Sequence, residues 1–183
     1  DGIELQAALA ALGAENARLN GLDERVRLLQ ADLAALPSTM ATEAYGHVVS
    51  NPPYHDSESA RRAPAPSRAL ARSESHVPLA QWIELSLRRL RPGGTLSLIH
   101  RVDRLGEVLA ALRAGAGGII VFPLWPGRGR PAKRLITRAV KESRAPLTVA
   151  PGLVLHRADG AHTKAAEAVL RRGAALALGH GEA

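Results

Sequence analysis

His47-Val48-Val49-Ser50-Asn51-Pro52-Pro53-Tyr54 is a short apolar run that ends in an asparagine, two prolines and an aromatic ring. The run predicts a buried strand. An Asn at its end points an amide oxygen into a cleft, and the two prolines fix the backbone and carry carbonyls with no neighbouring N–H to compete. The result is a rigid pair of hydrogen-bond acceptors. Tyr54 adds a flat ring on which an unstacked base can lie, a contact worth roughly 1 to 3 kcal/mol. Acceptors beside a ring suit a planar group bearing an NH2. The lone pair of such a nitrogen is delocalised, so it acts as a nucleophile only when oriented and held close to an electrophile. The plainer interpretation is a strand-ending turn, because Asn and Pro are common in turns. The flanking sequence favours chemistry.

Upstream, Gly2-Ile3-Glu4-Leu5 puts an acid at the end of a short apolar stretch. An Ala/Leu-rich segment follows, with Leu5, Leu9, Leu12 and Leu19 at approximate helical spacing and Asn20-Gly21 as its stop. That predicts a strand and a helix. Val26 and Leu28 then alternate with polar neighbours, and Asp32, between Ala31 and Leu33, falls where a second strand ends. Ligands of open α/β sheets bind outside the carboxyl ends of the strands, so Glu4, Asp32 and Asn51 are expected to converge on one cleft. A carboxylate at the first position suits a ribose diol, and one at the second suits an adenine amino group. Either acid alone reads better as a solvated loop carboxylate. Three polar strand ends in series do not.

Downstream, Val77 to Leu90 reads as a helix stopped by Pro92-Gly93-Gly94, Thr95 to His100 as a strand, Leu105 to Ala114 as a helix and Gly118 to Trp125 as a strand. Lys133 to Val140 fits a strand antiparallel to its predecessor, Leu147 to Val149 and Leu153 to His156 are short extended pieces, and Thr163 caps a last helix to Arg172. Strand–helix alternation predicts a doubly wound, Rossmann-like, mostly parallel sheet with an antiparallel C-terminal edge. His55 to Ser75, rich in Pro, Ser and Arg, reads as a loop placed where a substrate-ordered lid is useful.

The chain has 183 residues, 24 Lys+Arg against 17 Asp+Glu, no Cys, and two Trp, two Tyr and one Phe. One domain is the length prior. No Cys excludes disulfides and thiolate chemistry, and seven scattered histidines lack metal-ligand spacing, so no metal is expected. No apolar stretch reaches the ~20 residues of a membrane span and no signal peptide is visible, which makes the cytoplasm the expected compartment. The charge gathers in two clusters. Arg61, Arg62, Arg68 and Arg72 follow the Asn-Pro-Pro-Tyr motif, and Arg128, Arg130, Lys133, Arg134, Arg138, Lys141 and Arg144 crowd a Gly/Pro-punctuated stretch. Such clusters supply the phosphate attraction that nucleic-acid binders need.

Glu4, Asp32 and Asn51-Pro52-Pro53-Tyr54 resemble the second, third and fourth motifs of class I S-adenosylmethionine-dependent amino-methyltransferases. The segment His55 to Glu74, Arg91-Pro92-Gly93-Gly94-Thr95, Pro131-Ala132-Lys133-Arg134 and Lys141 to His156 are similar to bacterial valine-tRNA adenine N6-methyltransferases. The resemblance covers nearly the whole chain. It implies a class I methyltransferase fold in a single catalytic domain, S-adenosylmethionine as cofactor and tRNA as partner. It assigns Glu4, Leu5, Asp32, Leu33 and Asn51 to the cofactor and Asn51, Pro52, Pro53 and Tyr54 to catalysis. Arg61, Arg62, Arg68, Arg72, Arg130, Lys133 and Arg134 go to the nucleic acid. The alternatives are methylation of a protein glutamine, as in release factors, and a catalytically silent RNA-binding domain. The oligomeric state stays open between monomer and homodimer. The family's Gly-rich first motif is not in this sequence, which starts at Asp1, so the chain is expected to be a fragment that begins at the sheet's second strand. The strands ending at Glu4 and Asn51 are then expected to flank a gap or to pair directly.

Overall fold

In the computed structural model, the described residues are 1–37, 40, 45–53 and 77–178. They divide into two compact units, Asp1–Glu43 and Ala44–Ala183.

The first unit holds β1 (Gly2–Glu4), α1 (Ala7–Leu19) and β2 (Leu28–Gln30). β1 and β2 form a two-stranded parallel ladder, with Glu4 level with Gln30. α1 stops where Asn-Gly predicts: Asn20 closes it and Gly21 takes φ +63°. Its leucine spacing is helical, yet Leu9, Leu12 and Leu19 are exposed, and burial is left to Ala10 and Ala17.

The second unit carries β3 (Tyr45–Ser50), α2 (Leu79–Arg88), β4 (Leu90–Arg101), α3 (Leu105–Arg113), β5 (Ala116–Trp125), β6 (Arg134–Lys141), β7 (Thr148–Val149), β8 (Leu153–Val154) and α4 (Lys164–Arg172). The strands lie in the order β3-β4-β6-β5-β7, and β8 continues along the same side of β5 as the β7 edge. β3 runs parallel to β4, and β7 and β8 run parallel to β5. β6 is antiparallel to both neighbours, β4 and β5. α2 and α3 pack on the sheet through Leu79, Ile83, Leu87, Val108 and Leu112, against Leu96, Leu98, Ile119, Val121 and Leu135. Thr163 caps α4, its side chain accepting from the Ala166 N–H.

Three expectations change. The antiparallel strand sits inside the sheet, not at its C-terminal edge. The α3 crossover from β4 to β5 leaves one strand width between those parallel strands, and the hairpin return from β5 fills it. β3 is an edge strand among the described residues and only half-buried. Val48 faces the core and Val49, on the opposite face, is 82% exposed, as the two-residue alternation of a strand requires. Pro92-Gly93-Gly94 does not follow a helix end directly: α2 stops at Arg88, β4 starts at Leu90, and residues 91–94 bulge before pairing resumes at Thr95. Glycine is needed there, because a Cβ on Gly94 would lie 2.9 Å from the Arg91 carbonyl oxygen and 3.0 Å from that of Tyr45. Within each unit, β1 pairs with β2 and β3 pairs with β4.

Candidate functional site

Asn51, Pro52 and Pro53 leave the carboxyl end of β3. The residue before them is anchored, because the Trp82 indole Nε1–H on α2 donates to Ser50 Oγ at 2.8 Å. Asn51 is exposed and Pro52 is buried, so the turn offers its polar side chain outward from a packed base. Tyr54 lies outside the described residues. Ser50 is in register with Leu98 of β4, and continuing that register brings Pro52 level with His100. The His100 side chain is fully buried.

Sequence reasoning passed over His100 as one scattered histidine. A signal existed, since Leu96, Leu98 and His100 alternate and share the buried face of one strand. Burial pushes the His100 imidazole below its ordinary pKa, the nearby Arg104 charge adds to this, and the backbones of Pro53 and Arg101 and the Glu107 carboxylate act against it. The ring therefore stays neutral under the Asn-Pro-Pro turn at ordinary pH. In the window between the lowered folded value and the ordinary value of about 6.5, the unfolded chain binds more protons than the folded one. The contribution of His100 to stability is thus complete above about pH 6.5 and is lost as pH falls through the folded value. Urea midpoints should fall toward acid, with a shallower fall in His100→Phe. Parallel pH profiles in the two proteins would remove His100 from this linkage.

The carboxyl edge of the sheet continues as a basic rim. β6 runs against its neighbours, so its first residue, Arg134, sits opposite both Arg101 at the end of β4 and Leu124 near the end of β5. Arg130 and Lys133 precede it in the connecting loop and are exposed. This part of the expected nucleic-acid cluster therefore shares one sheet edge with Asn51. Carboxylates temper the rim. Arg101 Nε–H donates to Asp103 at 3.0 Å and holds that carboxyl below its usual range, and Arg104 clasps Glu107 at 2.7 Å. Arg61, Arg62, Arg68 and Arg72 lie outside the described residues.

In the first unit, Glu4 ends β1 and Asp32 follows β2 by two residues, so two carboxylates share the carboxyl edge of one parallel pair. Glu4 Oε1 accepts from the Gln6 N–H at 2.9 Å, and Asp32 Oδ1 accepts from the Ala34 N–H at 2.9 Å. These local bonds orient both groups, and a carboxylate has lone pairs for further donors. Leu5 is 41% exposed beside Glu4, and Leu33 is half-buried. Among the described residues there is no cluster of His, Cys, Asp or Glu able to hold a metal, and no helix is long and apolar enough to cross a membrane.

The fold has a counterpart among solved structures. A predicted O-methyltransferase from Agrobacterium tumefaciens superposes with a TM-score of 0.70 at 25% identity, over 91% of this chain and 74% of that one. The chain resembles the class I methyltransferases in sequence and in fold. A relative from Dickeya chrysanthemi, named as a tRNA1(Val) (adenine(37)-N6)-methyltransferase, is 41% identical over 141 residues, 74% of this chain and 53% of that protein. A relative of the same name from Porphyromonas gingivalis is 31% identical over 109 residues, 58% of this chain and 42% of its own length. The chain thus spans about half the length of the curated relatives it matches. No family model matches it.

Proposed function

We propose that this protein is an S-adenosylmethionine-dependent methyltransferase that methylates the N6 amino group of adenine in a tRNA, in the cytoplasm, and that residues 1–183 serve one catalytic domain. The observation that carries the reading is the position of Asn51-Pro52-Pro53: a rigid acceptor turn at the carboxyl end of a strand in a methyltransferase-like sheet, where open α/β sheets take their ligands. The names of the relatives support the substrate class.

Asn51 Oδ1 and the Pro52 carbonyl accept the two amino hydrogens of the base, which leaves the nitrogen lone pair to face the electrophile. The base is first taken out of its stack, and Tyr54 lies against its face. The backbone of Pro53 lies close enough to His100 to act on its ring, and the fixed φ of the two prolines holds the turn in shape. S-adenosylmethionine, when bound, supplies an activated methyl group on its sulfonium. The acceptor-only carboxylates of Glu4 and Asp32 fit its hydroxyl and amino donors, Glu4 at the ribose and Asp32 at the adenine, with Leu5 and Leu33 against the ring. Arg61, Arg62, Arg68, Arg72, Arg130, Lys133 and Arg134 attract RNA phosphates.

Methyl transfer from radiolabelled cofactor by the intact protein, offered total tRNA and release factor in parallel, tests the reading. Label in tRNA, recovered as N6-methyladenosine, is the expected result. Label in the release factor would replace adenine by glutamine as the acceptor, and label in neither would leave only an RNA-binding role.

A further inference from the structure

We propose that the Trp125–Arg130 loop and the His156–Lys164 segment together extend the RNA-binding surface to which Arg130 belongs, and that this extension takes single-stranded RNA where it leaves the Asn51 turn. The proposal rests on the RNA-methylating reading above. It adds a surface formed by segments that are remote from the turn in sequence.

Two adjoining concavities lie at the carboxyl ends of β5 and β8. The larger, about 1010 Å³, runs between the loop after β5 and the start of α4. The smaller, about 550 Å³, lies over Trp125, and the two share Gly127, Arg128, Arg130 and Val154. Arg128, Arg130 and Lys164 line this surface, are exposed, and make no ion pair among the described residues. Arg157 at its rim is held by Asp159 at 3.3 Å. Three uncompensated cations along one groove call for a polyanion.

Aromatic faces narrow the choice. Trp125, one of only two tryptophans, lines the smaller concavity, and its Nε1–H donates to the Pro151 carbonyl at 2.9 Å, which fixes the ring. His156, in the larger concavity, stacks on His162 with ring centroids 4.7 Å apart and planes 24° from parallel. His156 Nδ1 lies 3.1 Å from the Gly160 carbonyl oxygen. A carbonyl only accepts, so the proton is on Nδ1 and Nε2 is left for a ligand. Rigid rings interleaved with cations match a strand that offers phosphates and unstacked bases together. An acidic peptide offers charge alone, and the bases of a duplex are already stacked. The path is short. From β3 through β4, β6 and β5 to β8 there are four strand spacings, roughly 19 Å at ~4.8 Å each, along the edge that carries Arg101 and Arg134.

The test compares the intact protein with Arg128→Ala/Arg130→Ala/Lys164→Ala and with a charge-matched control, Arg113→Ala/Arg171→Ala/Arg172→Ala. Binding of a labelled single-stranded oligouridine is followed by anisotropy against salt. The groove variant is expected to weaken binding and to flatten the slope of log affinity against log salt by roughly 2, at ~0.7 for each phosphate of a single strand that is no longer neutralised. The control is expected to keep the original slope. Trp125→Leu is expected to weaken binding of the oligonucleotide with no change in slope, since it removes a ring and no charge. Equal losses in groove variant and control, or competition by polyglutamate as effective as by RNA, would overturn the proposal. Wild-type binding by the groove variant in a protein that still methylates RNA would overturn the groove alone and leave the enzymatic reading standing. Methylation of release factor with no RNA product would overturn both.

Discussion

Asn51→Ala is expected to slow methyl transfer by the intact protein about 10² to 10³-fold, the usual loss when one preorganised hydrogen-bonding group is removed from a transition state. Affinity for S-adenosylmethionine should stay within a few-fold, because the principal role of the side chain is toward the methyl acceptor. The structure gives reasons for a local effect. Pro52 is buried and Ser50 is tied to Trp82, so the turn keeps its backbone path when the exposed Asn51 side chain is shortened. The Pro52 carbonyl then still accepts one amino hydrogen, but the second is left to water and the nitrogen loses its fixed orientation. Single-turnover transfer to tRNA and equilibrium titration of the cofactor, measured on the same preparation, separate the two effects. Near-normal turnover would remove the role assigned to Asn51.

Gly152→Ala is expected to destabilise the protein by about 3 kcal/mol or more, from backbone strain together with a steric clash. Gly152 turns the chain between β7 and β8 so that both pair with β5, through Ile120–Val121 and through Leu124–Trp125. Its φ is +84°, and a Cβ there would stand 2.3 Å from the Pro123 carbonyl oxygen and 2.7 Å from Trp125 Nε1. A side chain in that conformation costs roughly 1 to 3 kcal/mol, and the clash with a strand carbonyl, which has no rotamer to escape to, adds to it. At ~2 to 4 °C of Tm per kcal/mol for a chain of this size, the melting temperature should fall by roughly 6 to 12 °C. Gly160→Ala is the control, because φ there is +83° with nothing within 4 Å of the added carbon. A drop for Gly152→Ala no larger than for Gly160→Ala would show that the close approach to Pro123 carries no cost.

Much of the architecture was legible in local pattern. The leucines of α1, the alternation in Thr95 to His100, the Thr163 cap and the hairpin between β5 and β6 each follow from the periodicity or turn chemistry of a few neighbouring residues, and those signals act within one element. The Asn51-Pro52-Pro53 turn belongs with them, since its rigidity is covalent and travels with the sequence. The burial of an element did not follow in the same way. Leu9, Leu12 and Leu19 have helical spacing and are exposed, and Val49 sits in an apolar run and faces outward, because spacing specifies a face and only packing decides what covers it.

What tertiary structure alone decided is who sits beside whom. The antiparallel strand could have formed the edge of the sheet on any local criterion. Its insertion between β4 and β5 depends on a crossover that leaves a single strand width, and this long-range pairing puts Arg134 opposite Arg101. The same applies to His100, whose burial beneath the Asn-Pro-Pro turn comes from the β3–β4 register, and to the groove, which joins Arg128 to Lys164 across β8. The amino-acid order determined the elements and the chemical groups available at their ends. Strand order and register, set by the shared core and by backbone pairing between distant segments, determined which of those groups meet on one edge.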